Sequence, residues 1–141
     1  MRRLLFVVRR PGMCYTVCNR MHEIMSRIPM KIPANGFTHA GKFHADDVFA
    51  TALLQILRPD IKITRGFVVP DDFDGIVYDI GFGMFDHHQE PRETRPNGIP
   101  YAAFGLLWRV LGPGLVGERQ ARLIDENFIQ PLDLNDNTGE Q

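Results

Sequence analysis

One short apolar run that ends on a carboxylate constrains this chain more than any other feature. Gly75-Ile-Val-Tyr-Asp-Ile-Gly81 reads as a buried strand with Asp79 at its C-terminal tip. After the turn Gly81-Phe-Gly-Met84, the chain carries an acid and two imidazoles side by side, in Asp86-His87-His88-Gln89. Open α/β sheets gather ligands outside the carboxyl ends of their strands. Carboxylates and imidazoles together are the donors of a divalent-metal site. The question for the remaining sequence is where further donors lie.

The segments around this run alternate between strand and helix patterns. Residues 34–38 form a weak strand ending at His39. Gly41 permits a turn, and Phe43-His44-Ala45-Asp46-Asp47 leads into a helix over Val48 to Leu57 with Phe49, Leu53 and Ile56 at helical spacing. Its first-turn acids suit the positive end of the helix dipole, and Pro59 stops it. Ile61 to Val69 alternates as a second strand, and Ile76 to Asp79 is the third. A polar loop from Gln89 to Pro100 precedes a helix over Tyr101 to Leu111, with Phe104, Leu107, Trp108 and Leu111 on one face and Gly112-Pro113-Gly114 closing it. Another helix covers Glu118 to Phe128, and the chain then runs through Pro131, Asp133, Asp136 and Asn137. Strands alternating with helices imply an α/β fold, a mostly parallel sheet with helices on both faces, in a single domain.

The 141 residues suffice for one core of their own. The formal net charge of −1 conceals an uneven distribution. Residues 1–29 hold six arginines against Glu23, a balance of +5, whereas residues 30–141 balance at −6. Pro29-Met30-Lys31-Ile32-Pro33 reads like a natural start, so residues 1–29 are expected to be a poorly ordered basic extension and residues 30–141 the working domain. The acidic balance of that domain is not the footprint of a general nucleic-acid binder. Cys14 and Cys18 have no partner pair and read as free thiols. The apolar run Leu4 to Val8 is too short for a membrane span or a secretory core, which leads us to expect a cytoplasmic chain.

His39, His44, Asp46, Asp79, Asp86, His87, His88 and Asp136 therefore stand at expected strand ends and turns. Singly, each has a plainer reading. A histidine in a turn is usually a surface residue, Asp46 or Asp47 a helix-start acid, Asp86 a partner for a neighbouring ring, and Asp133 or Asp136 a polar tail residue. Their co-occurrence at two strand ends favours a metal site. A nitrogen and oxygen donor set without thiolate suits Mn²⁺, Mg²⁺ or Fe²⁺ better than structural zinc. Two such ions roughly 3.5–4 Å apart can clamp a phosphoryl group and activate a water.

These residues resemble the DHH phosphoesterase superfamily, named for its Asp-His-His motif. The segments Thr38 to Ala50, Val77 to Gly81, Phe85 to Gln89, Pro100 to Trp108 and Asp125 to Phe128 look more closely like the melanocyte-proliferating-gene-one (Myg) family. The likeness begins near residue 30 and continues to the end, with several separated motifs in the right order. It implies that His39 and His44 hold one ion, and that Asp46, His87 and Asp136 hold the other. Asp79 would bridge them, His88 would contact or protonate the scissile phosphate, and Asp86 would orient a histidine ring. Asp133 is the competing candidate for the fourth motif.

Two departures stand out. His44 occupies a position where the superfamily usually has a carboxylate, and Asp136-Asn137-Thr138-Gly139 has one residue more than the usual Asp-Asn-Gly. The resemblance implies a manganese-dependent, nuclease-like phosphoesterase acting on RNA or DNA ends. Members of the family carry a second, substrate-gripping domain, so this sequence reads as an N-terminal catalytic fragment. The apolar surface thereby left open would favour homo-oligomers. The alternative is a metal-binding fragment with little or no turnover.

Overall fold

The computed structural model describes residues 22–139. Cys14, Cys18 and the arginines up to Arg20 lie outside them. The fold is α/β around a three-stranded parallel sheet. Strand β1 (Asn35–His39) is central, flanked by β2 (Lys62–Gly66) and β3 (Ile76–Val77). Gly36 lies opposite both Ile63 and Ile76. A Cβ at Gly36 would fall 2.6 Å from the tip of the Ile63 side chain, which would have to shift to admit it.

Helix α1 (Ala45–Leu57) connects β1 to β2, as parallel pairing requires. It starts at Ala45 rather than Val48, and its buried face is Asp46, Ala50, Leu53, Leu54 and Leu57. Phe49 and Ile56, expected on that face, are exposed. The face is rotated because the first-turn acids point inward. The connection from β2 to β3 carries no helix. Residues 67–75 cross as a loop, and Phe73 meets Phe37 of β1 edge-on, with ring centroids 5.4 Å apart. Core residues Leu54, Ile61, Ile76, Tyr78, Leu107 and Leu111 form one cluster with the helices.

Two stop signals in the sequence do not stop helices. Helix α2 (Ala103–Val116) runs through Gly112-Pro113-Gly114. Gly112 lies under the Trp108 ring, where a Cβ would approach within 2.6 Å, and a Cβ at Gly114 would fall 2.8 Å from the Arg27 carbonyl oxygen. Burial of this tight seam outweighs the weak helix propensity of glycine and proline. Helix α3 (Glu118–Ile124) passes through a π-helical turn (Asp125–Ile129) into α4 (Gln130–Thr138). Pro131 has no N–H to donate, and the wider turn, in which the Gln130 N–H reaches the Asp125 carbonyl, accommodates it. The expected extended run through Asp133 and Asp136 is thus helical. Residues 22–27 are also helical, and Ile28 is buried in the core. No described helix is long and apolar enough to cross a membrane.

Arg95 fastens the polar loop after Gln89 to the C-terminal helices. Arg95, 4% exposed, donates from Nε to Asp125 (3.0 Å) and from Nη2 to Asp125 (2.6 Å) and Asp133 (2.8 Å). It also donates to the Pro100 carbonyl at 3.0 Å and stacks over Tyr101 at 3.9 Å. Asp133 is fully buried against Gly105, whose missing side chain makes room for it. Burial raises the Asp133 carboxyl to about 6, against the opposing pull of Arg95. Replacing one partner of a buried ion pair leaves the other uncompensated. Arg95→Met should therefore lower the unfolding free energy by about 3–5 kcal/mol, measured by urea denaturation.

Candidate metal centre

The centre is assembled by the turn after β3. Tyr78 continues the strand, donating its N–H to the Phe37 carbonyl at 3.0 Å. Its hydroxyl meets Thr51 of α1 at 2.5 Å. Asp79 then adopts a left-handed φ of 57°, and the chain doubles back so that Phe85 pairs alongside Tyr78. The Asp79 N–H donates to the Phe85 carbonyl at 2.9 Å. Asp86, His87 and His88 are thereby set beside the strand tip that carries Asp79.

Seven of the eight residues singled out by the sequence converge into overlapping groups. His39, His44, Asp47 and Asp79 offer donor atoms within 4.8 Å of one another, as do Asp46, His87 and Asp136, and Asp79, His87 and His88. Asp79 belongs to two of the groups, and its two oxygens divide between the histidines. Oδ2 lies 3.1 Å from His39 Nε2, and Oδ1 lies 3.1 Å from His87 Nε2. The His39 and His44 rings are neighbours, with centroids 5.2 Å apart.

Each of the two inner histidines is anchored by its far nitrogen. His39 Nδ1 lies 3.0 Å from the Ala40 carbonyl, which can only accept, so that nitrogen carries the proton. His87 Nδ1 faces Asn137 Oδ1 at 3.3 Å. Asn137 is itself oriented, because its Nδ2 donates to the carbonyls of Tyr101 (3.1 Å) and Asp133 (2.9 Å). In both rings Nε2 is therefore turned toward carboxylates, as in metal-ligating histidines. His39 Nε2 and Asp79 Oδ2 are buried with no hydrogen-bond partner. Imidazole nitrogens and carboxylate oxygens that converge in this way fit a cation.

Electrostatics tell the same story. Burial pushes the Asp46 carboxyl well up, and the Asp79 charge adds to it. Burial also raises Asp136, partly offset by His87. Burial works against an imidazolium at His87, but its hydrogen bond to Asp79 and the charge of Asp46 outweigh that and raise it to about 9. The pocket is short of positive charge.

Asp86 stands outside the three groups. Its Oδ1 accepts from the His88 ring at 2.7 Å and its Oδ2 from the Phe82 N–H at 2.7 Å. Burial disfavours its charge, yet these hydrogen bonds prevail and hold its carboxyl below the usual range. The ring it orients is His88, whose Nδ1 also lies 3.8 Å from Asp79 Oδ1. Asp133, the competing candidate, is committed to Arg95, while Asp136 Oδ2 lies 3.3 Å from His87 Nε2.

Asp46 has a second task. Its two oxygens accept the backbone N–H groups of Ala103 (2.9 Å) and Phe104 (2.7 Å), closing the N-terminus of α2. Asp47 and Asn137 were not among the expected site residues. Asp47 Oδ2 accepts the His44 backbone N–H at 3.1 Å and lies 2.9 Å from His39 Nε2, while Arg65 holds both its oxygens at 3.2 Å. The position three residues after His44 marks Asp47 as a capping acid, and nothing in the sequence marks it as facing His39. Removing a group that orients a metal-ligating histidine typically weakens binding 10–100-fold. Asn137→Ala should therefore reduce Mn²⁺ affinity about tenfold in calorimetric titration. Asp79→Asn should disturb every Mn²⁺ site in the same titration, and Asp136→Asn only one.

The MYG1 exonuclease family model, described as an uncharacterised protein family (UPF0160), matches residues 36–141. The MYG1 exonuclease of Homo sapiens is 30% identical, over 79% of this chain and 38% of its own length. The MYG1 exonuclease of Bos taurus is 31% identical, over 71% of this chain and 34% of its own length. The chain thus spans little more than a third of these relatives. No solved structure matches. On the family match over most of its length, the chain belongs to the MYG1 exonuclease family.

Proposed function

We propose that this chain is the metal-binding catalytic portion of a nuclease-like phosphoesterase. It would hydrolyse phosphodiester bonds at RNA or DNA ends and use two divalent ions, Mn²⁺ foremost. The observation that carries this reading is the division of Asp79, one oxygen toward His39 and the other toward His87. A carboxylate on a strand tip between two histidine-containing groups is suited to bridge two cations, because its charge offsets their repulsion. His39, His44 and Asp47 would complete one half, and Asp46, His87 and Asp136 the other. The names of the relatives support the nuclease class.

When bound, such ions would supply charge stabilisation for a phosphoryl group and an activated water. The chain's own residues do the positioning. Ala40 and Asn137 fix the His39 and His87 rings. Asp86 holds the His88 ring by Nδ1, so that the half-exposed ring can present Nε2 to a phosphate oxygen or a leaving group. Asp46 ties one half of the site to the first turn of α2.

Hydrolysis of bis(nitrophenyl) phosphate tests this reading. We expect stimulation by Mn²⁺ and loss of the stimulated rate in Asp79→Ala. His88→Ala should lower kcat about 10²-fold with Mn²⁺ uptake retained. If uptake falls in parallel, His88 is a ligand, as its grouping with Asp79 and His87 allows. The second reading, a metal-binding portion with little turnover, is favoured by Asp46, both of whose oxygens are engaged by amides at the start of α2. Metal uptake without any hydrolysis would establish it and sink the first.

A further inference from the structure

The mouth of the pocket above Asp79 is lined with aromatic rings that the fold does not use. Phe67 is 79% exposed and Phe82 71% exposed. Both line the same cavity of about 430 Å³ as His39, His44, Asp79 and His88. They reach it from separate segments, Phe67 just after β2 and Phe82 in the turn after Asp79. Exposed phenylalanines scattered singly need no explanation, but two lining one cavity together with His39, His44, Asp79 and His88 do.

Phe82 carries an independent sign. Its φ is 56°, in the left-handed region that a residue with a bulky side chain seldom adopts. The conformation is held by its N–H, which donates to Asp86 Oδ2 at 2.7 Å. The other oxygen of that carboxylate holds His88. One aspartate thus sets both the His88 ring and a strained backbone that presents a phenyl ring to solvent. Glycine or asparagine would relieve the strain at no loss of packing. Strain kept at a cavity mouth points to use there.

We propose that Phe67 and Phe82 form a stacking platform for nucleobases beside the metal centre at Asp79, so that the site takes single-stranded nucleic acid. The proposal rests on the phosphoesterase reading and names its substrate class. A base offers a flat π-face to a phenyl ring whatever its sequence, and stacking of this kind is a main source of affinity for single strands. Within a duplex those faces are covered by neighbouring bases. The charge distribution points the same way, because residues 30–141 balance at −6 and offer no general attraction to a polyanion. A grip on the bases supplies what a basic groove would otherwise provide.

The test is binding of the 141-residue chain, in Mn²⁺, to a phosphorothioate-linked pentathymidylate, its abasic counterpart and a blunt-ended, loop-closed hairpin duplex long enough to stay paired. We expect the base-bearing strand to bind about tenfold tighter than the abasic strand. That ratio should fall to near one in Phe67→Ala and Phe82→Ala and be kept in Phe67→Trp and Phe82→Trp. Equal affinity for the base-bearing and abasic strands, or equal affinity for the duplex, would overturn the proposal. So would alanine variants that keep the ratio, or a parent dimer that dissociates on either substitution, because the rings would then serve self-association. Strands that bind alike while the nitrophenyl ester is still hydrolysed would sink this inference alone. Neither binding nor hydrolysis would remove the phosphoesterase reading with it.

Discussion

Four of the five buried carboxylates among the described residues set the terms of this structure. Asp46, Asp47 and Asp133 are fully buried and Asp79 is 2% exposed. Removing a charge from water is costly unless it is paired and hydrogen-bonded, and each of the four is answered differently. Asp133 has Arg95, and Asp47 has Arg65 with the His44 backbone. Asp46 takes two free amides at the start of α2, where the helix dipole favours negative charge. Asp79 is answered only by imidazoles, and one of its oxygens is left without a hydrogen bond. Asp133 Oδ1 is likewise left without a hydrogen bond, so what sets Asp79 apart is that its neighbours are imidazoles, which with carboxylates make a donor set for a cation.

The structural and the chemical parts of the molecule are therefore joined through shared groups. Asp46 closes α2 and belongs to a donor group. Asp47 caps α1 and faces His39. Asn137 orients His87 while tied to the backbone at Tyr101 and Asp133. The Arg95 cluster lies behind this arrangement and holds Asp133, one turn of α4 before Asp136 and Asn137. A site whose supports are also helix caps and buried ion pairs is rigid by construction, as metal coordination needs. Stability and metal affinity will accordingly move together for several of these residues.

Around that rigid floor the rim is of a different kind. Phe67 and Phe82 stand on turns, exposed, above buried acids and histidines. Asp86 links the two regions, since its two oxygens fix the His88 ring and the Phe82 backbone at once. A floor that suits cations beneath an apolar rim is the polarity expected for a ligand that is charged at one end and flat and neutral at the other.

The sequence alone determined the strand ending on Asp79, the paired histidines beside it, the parallel α/β plan and the helix-face residues Phe104, Leu107, Trp108 and Leu111. These depend on short-range periodicity and on residue types that have few other uses together. Tertiary structure alone decided the rest. Gly112-Pro113-Gly114 and Pro131 are local stop signals, but packing under Trp108 and against residues 27 and 28, and a π-helical turn before Pro131, overrode them. That override makes α4 a helix and carries Asp136 and Asn137 to His87, while Asp133 turns toward Arg95. The rotation of α1, which buries Asp46 and Asp47 and exposes Phe49 and Ile56, likewise answers to the N-terminus of α2 and to Arg65. Those partners are distant in sequence, and only their meeting in space could reveal which acids serve the site and which serve the core.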